Sequence, residues 1–115
     1  MAPVILILER RPEVAAALQD VITSANYRAR VIPHLERLAD LGVTPAAIVV
    51  RIAFEGNDPA HAALEKLPPN RPPIIAIAWE EAEVVEARRL NCDVVLRGAR
   101  DVGRLCEALM QVVQT

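Results

Sequence analysis

Aromatic residues are almost missing from this sequence. Trp79, Tyr27 and Phe54 are the only ones among 115 residues, so the interior has to be assembled from Val, Ile, Leu and Ala. That scarcity argues against a surface for stacking single-stranded nucleic-acid bases, which needs several exposed rings. Charge of one sign is equally scarce: a formal net charge of -2 gives no strong attraction to DNA or to an anionic lipid surface, and neither partner is expected. The two cysteines, Cys92 and Cys106, have no second pair and no histidine at ligand spacing. They fit neither a zinc site nor a disulfide framework, and reduced thiols follow. His34 and His61 fall on different segments with no carboxylate or thiol at ligand spacing, so no metal site is expected. Glycine is limited to Gly42, Gly56, Gly98 and Gly103, and no phosphate-cradling Gly-rich loop, paired acids or activated nucleophile is present. An enzyme is therefore not expected, nor is a cofactor. The apolar opening from Met1 to Leu8 is too short for a membrane span and lacks the basic lead-in of a signal peptide, which predicts a strand in a cytoplasmic protein.

What is abundant is aliphatic. The composition is 53% hydrophobic and 24% charged, that of a compact chain rather than a disordered one, and the length predicts a single domain over residues 1–115. The central feature is Pro45-Ala46-Ala47-Ile48-Val49-Val50-Arg51-Ile52-Ala53-Phe54-Glu55-Gly56. An apolar, largely β-branched run bounded by Pro and Gly reads as a strand buried on both faces, as at the centre of a parallel sheet. Its far end carries Arg51. Ligand and catalytic groups of open parallel sheets sit at the carboxyl ends of central strands, but a guanidinium is neither nucleophile nor base at ordinary pH.

The rest of the chain alternates in the same way. Val4 to Leu8 is an aliphatic strand ending in Glu9-Arg10-Arg11, and Pro12 suits the first turn of a helix whose apolar stripe is Val14, Ala17, Leu18, Val21, Ile22 and Ala25, closing near Asn26. Arg28 to Ile32 predicts an edge strand half open to water. Leu35, Leu38, Ala39 and Leu41 predict a short second helix stopped by Gly42. After the central strand, Asn57 or Asp58 caps a third helix begun by Pro59, with Ala60, Ala63, Leu64 and Leu67 inward. The proline-rich 68–73 segment is a stiff connection into a fourth strand, Ile74 to Ala78. Glu80 to Leu90 predicts a fourth helix, acidic at its start and basic at its end, in accord with the helix dipole. Asp93 to Arg97 is the fifth strand, and a last helix carries Val102, Leu105, Cys106, Leu109, Met110 and Val113 on one stripe. Five strands alternating with five helices predict an α/β three-layer (βα)5 sandwich with right-handed crossovers and parallel neighbours. The length favours the flavodoxin-like order 2-1-3-4-5.

With Val4-Ile5-Leu6-Ile7-Leu8-Glu9, Pro45 to Gly56, Pro73-Ile74-Ile75-Ala76-Ile77-Ala78 and Asn91-Cys92-Asp93-Val94-Val95-Leu96-Arg97-Gly98 at this spacing, the chain resembles the CheY-like receiver domain of bacterial response regulators over essentially its whole length. The resemblance implies a site in which an acid pair after the first strand and an aspartate ending the third hold magnesium and accept a phosphoryl group. Matched onto this chain, the acid pair becomes Glu9-Arg10 and the phosphoacceptor becomes Arg51. The hydroxyl residue ending the fourth strand becomes Ala78, the lysine after the fifth becomes Gly98, and the aromatic switch residue falls near Val95. Nucleophile, half of the metal site, sensor and cation are all replaced, which implies a degenerate pseudo-receiver. An ion pair between Arg51 and Glu9 is one expectation for the vacated pocket; Arg51 snorkelling to solvent is the other.

Two functions follow. The first is a phosphorylation-independent signalling module, expected as the N-terminal regulatory domain of a larger response regulator because the chain stops at Gln114-Thr115 with no tail. It would bind a protein partner or a second copy of itself through the fourth helix, fifth strand and fifth helix, the face that mediates dimers in the family, with Trp79, Glu83, Glu86, Arg89, Leu105 and Leu109 in contact. The second is a sensor of an anionic metabolite or nucleotide, held by a rim of Arg10, Arg11, Arg51, Arg97 and Arg100 at the carboxyl edge of the sheet.

Overall fold

The computed structural model describes residues 3–9, 11–32, 45–52, 64–65, 67, 71–98 and 102–113. Five strands form one parallel sheet: β1 (Val4–Leu8), β2 (Arg28–Ile32), β3 (Ala47–Arg51), β4 (Ile74–Ala78) and β5 (Val94–Arg97), in the order β2-β1-β3-β4-β5. The helices among the described residues are α1 (Pro12–Ser24), α2 (Glu81–Arg89) and α3 (Leu105–Val112), the last preceded by a 3-10 turn over Val102–Arg104. Leu64 and Glu65 are helical, and Leu67 just beyond them is a bend residue packed partly buried against the core, but Ala60 and Ala63 of the expected third helix, and the second helix over Leu35 to Leu41, lie outside the described residues. No helix among those described is long and apolar enough to cross a membrane.

Side chains of a strand alternate between faces, and here both faces are covered. Ile5, Ile7, Ala47, Val49, Ile75, Ile77 and Leu96 turn to one side, where Leu18 and Ile22 of α1 and Leu105, Ala108 and Leu109 of α3 pack on them. Leu6, Leu8, Ile48, Val50, Ile74 and Ala76 turn to the other, against Ala87 of α2 and Leu64. This two-sided burial is why the strands read as unbroken aliphatic runs. β2, at the sheet's edge, exposes Arg28 and Arg30 as expected, and also Val31.

The buried line of α1 is Ala15, Leu18 and Ile22: of the expected stripe of Val14, Ala17, Leu18, Val21, Ile22 and Ala25, Leu18 and Ile22 are buried as expected, and Ala15 is buried where Ala17 was expected. Val14 and Val21 flank it, partly buried, and Ala17 is exposed. Three successive alanines leave the sequence nearly indifferent to which of them is buried, and packing against β1, β2 and α3 decides it. The helix closes as expected: Asn26 takes the left-handed conformation (φ 69), and its N–H donates to the Thr23 carbonyl at 3.1 Å. At the amino edge of the sheet, Asp93 Oδ2 accepts the Ile74 N–H (2.8 Å) and an Arg71 N–H (2.9 Å), and Arg71 also donates to the Asn91 carbonyl at 2.5 Å. One partly buried arginine thereby ties the proline-rich connection to the entry of β5.

Leu105 and Ile48 are fully buried, one on each side of the sheet. Leu105→Ala and Ile48→Ala are each expected to lower the unfolding free energy by about 2–5 kcal/mol, seen as a reduced midpoint in urea with little change in slope.

Candidate functional site

The carboxyl edge of the sheet is where the strands release polar groups, and strand parity decides which of them meet. Arg51 follows Ala47 and Val49, so it turns toward α1; Trp79, two residues beyond Ile77, and Gly98, two beyond Leu96, turn the same way. The guanidinium of Arg51 lies over the Trp79 ring, its Cζ 5.8 Å from the centroid, a cation–π arrangement. The indole packs on Gly98, where a Cβ would stand 2.7 Å from Trp79 Cε3 and where φ is +45. The ends of β3, β4 and β5 thus carry one stacked row of arginine, tryptophan and glycine.

Glu83 holds this row from behind. Its Oε1 accepts the backbone N–H of Trp79 at 2.7 Å and that of Glu80 at 3.2 Å, closing a capping box at the start of α2. Glu83 is a buried residue, with 7% relative exposure. Two otherwise unpaired donors at the turn from β4 to α2 explain why a buried acid is tolerated there. The sequence signal was the Glu80-x-x-Glu83 spacing.

Arg51 and Glu9 do not form the expected ion pair. Glu9 Oε1 instead accepts the Arg11 N–H at 3.0 Å, within the turn from β1 to α1, and among the described residues no carboxylate pairs with Arg51. Parity does not separate the two, since Glu9, two residues beyond Ile7, falls on the α1 side as well; the Glu9 carboxylate is engaged by the Arg11 N–H and the guanidinium by the Trp79 ring. The arginine rim is also divided. Arg97 is one residue short of Gly98, so it turns to the α2 side and pairs with Glu81 at 2.8 Å, while Arg51 faces α1. Arg11 is exposed in the turn before α1, and Arg10 and Arg100 lie outside the described residues.

The expected interaction face is not a single surface. Leu105 and Leu109 are fully buried and Glu83 nearly so, because all three serve the packing or capping of their own helices. Trp79 remains exposed, and Arg89 is an exposed side chain paired with Glu86 and, at 2.6 Å, with Glu65. Hydrogen bonds to Glu86 first, then Glu65, raise the Arg89 guanidinium above its ordinary value. The apolar side chains that do reach solvent on these helices are Val85 and Met110. Ala78 is fully buried at the end of β4.

No model of a known protein family matches the chain, and no curated protein matches it. Solved structures do. A putative response regulator from Chloroflexus aurantiacus superposes with a TM-score of 0.82 at 16% identity, covering 98% of each chain. A response regulator receiver protein from Pseudoalteromonas atlantica gives 0.78 at 15% identity, over 96% of this chain and 97% of that one. A CheY-like receiver domain from Methylobacillus flagellatus gives 0.75 at 16%, over 99% and 100%. The chain has the receiver-domain fold.

Within the receiver fold, the residues at the strand ends do not fit a hard divalent cation, which needs several oxygen donors. Of Glu9, Arg51 and Ala78, only Glu9 offers a carboxylate, and its Oε1 already accepts the Arg11 N–H. Among the described residues no three His, Cys, Asp or Glu side chains gather closely enough to hold a metal ion.

Gly98→Ala is expected to be destabilising by at least about 1 kcal/mol, the order of cost for a side chain in a left-handed conformation, and to alter Trp79 fluorescence because the indole must shift. Far from this edge, burial pushes the Cys92 thiol from an ordinary 9.0 up to about 11, against the pull of the Arg71 charge. Between those values the unfolded chain ionises first. Stability from this group is therefore full below pH about 9 and declines as pH rises toward about 11. In a Cys106→Ser background, alkylation of Cys92 by iodoacetamide is expected to be slow at pH 8 and to accelerate in the same range.

Proposed function

We propose that the chain is a phosphorylation-independent, receiver-like signalling module, a single domain over residues 1–115, that acts by protein-protein contact and performs no chemistry of its own. The observation that carries the reading is Arg51 at the end of β3, where the receiver resemblance implies an aspartate nucleophile. A guanidinium cannot accept a phosphoryl group there, and its charge occupies the position a metal ion would neutralise. Ala78 and Gly98 in place of the implied hydroxyl and lysine point the same way. With Trp79 filling the space beside Gly98, the strand ends are packed in one arrangement rather than waiting for phosphate.

Communication then falls to the surface around the β5 edge. α2 and α3 lie on opposite faces of the sheet beside that edge, and they expose Val85, Met110 and the Glu86–Arg89 pair. Apolar side chains ringed by charges of both signs suit a reciprocal contact with a second copy or with a protein partner. A regulatory domain of a larger cytoplasmic response regulator is the setting this implies.

Incubation with acetyl phosphate and magnesium is expected to leave the mass of the protein unchanged. A carboxylate-linked phosphoryl group found by mass spectrometry would refute the reading. Val85→Glu and Met110→Glu, both at exposed positions, are expected to leave the melting temperature nearly unchanged while weakening self-association in sedimentation, or partner capture by the full-length regulator.

A further inference from the structure

Between α1 and the ends of β3 and β4 lies a cleft of about 270 Å³. Its walls are aliphatic: Val14, Ala17, Leu18 and Val21 from α1 and Ile77 from β4. Arg51, Trp79 and Glu13 complete the lining. Ala17, an exposed position on α1, presents only a methyl group to this space. Arg51 is the group in the cleft with unspent capacity. Its guanidinium rests on the indole of Trp79, and among the described residues no carboxylate meets it. Its planar fork therefore keeps N–H donors for a ligand.

We propose that this cleft binds a small monocarboxylate with an apolar body. The carboxylate takes the Arg51 fork, whose geometry matches two oxygens in a plane, and the body lies along the aliphatic wall of α1 beside the indole. The volume falls just under the roughly 300–1,000 Å³ of clefts that hold drug-sized ligands, which limits the body to one ring or a short branched chain. Glu13 adds selection by charge. A second negative charge on the ligand would share the cleft with its carboxylate, so dicarboxylates and free phosphate are disfavoured. Apolar burial supplies attraction that a bare anion lacks. This proposal does not rest on the contact reading: the ligand site is on the α1 side of the sheet, whereas the contact surface is at the β5 edge.

Trp79 is the only tryptophan in the chain, so intrinsic fluorescence reports the cleft directly. Titration of the purified protein with 3-phenylpropionate is expected to give a saturable change and a raised melting temperature, and inorganic phosphate at the same concentration neither. Arg51→Gln is expected to weaken binding at least about tenfold, as loss of a charge-assisted pair implies. Ala17→Leu keeps the arginine, narrows the cleft from an exposed helix position and is expected to weaken binding to a similar degree. The proposal is overturned by the absence of saturable binding to the native chain, by equal affinity in Arg51→Gln, or by phosphate competing as well as the aryl acid. None of these outcomes bears on whether acetyl phosphate labels the protein.

Discussion

Burial of the central sheet on both faces is the constraint from which the other features descend. β1, β3 and β4 run between two layers of side chains, so they carry almost nothing but aliphatic residues until they reach their carboxyl ends. Along these three strands the polar groups emerge at the strand ends, and parity along the strand fixes the side on which each emerges. Arg51 and Arg97 end neighbouring parts of the same edge and still serve different layers, one against Trp79 and the other against Glu81. Position in the fold and direction of the side chain are separate facts, and both are needed to describe the site.

The tryptophan is held through its backbone as well as its ring. Glu83 fixes the peptide at the turn from β4 into α2, Gly98 allows the ring to approach β5, and Arg51 rests on its face. These contacts join three strand ends and a helix start. In this chain a protein side chain supplies the cation, and an indole gives it a place to lie.

The sheet was legible because two-sided burial writes itself as continuous aliphatic runs, and β1, β2 and β4 match their expected bounds. The helix faces were less so. In α1 the successive alanines 15, 16 and 17 leave the stripe ambiguous by one residue, and only packing against the sheet resolves it. The site was legible in position but not in partnership: Arg51 stands where the central strand ends, yet its side chain meets Trp79 rather than Glu9, and the period of two, which places all three on the α1 side, does not choose between them. Leu105 and Leu109 were read both as the inward stripe of the last helix and as contact residues, and one side chain cannot do both. Glu83 was counted as dipole complement when its spacing from Glu80 also encodes a cap.

The seating of the indole on Gly98 also constrains what this chain can become. Any residue with a side chain at 98 meets the ring, so a lysine there, as the receiver resemblance implies for a phosphorylatable relative, is sterically incompatible with tryptophan at 79 in its present place. Positions 79 and 98 therefore constrain each other: a side chain at 98 can be accommodated only where the ring at 79 is moved or removed.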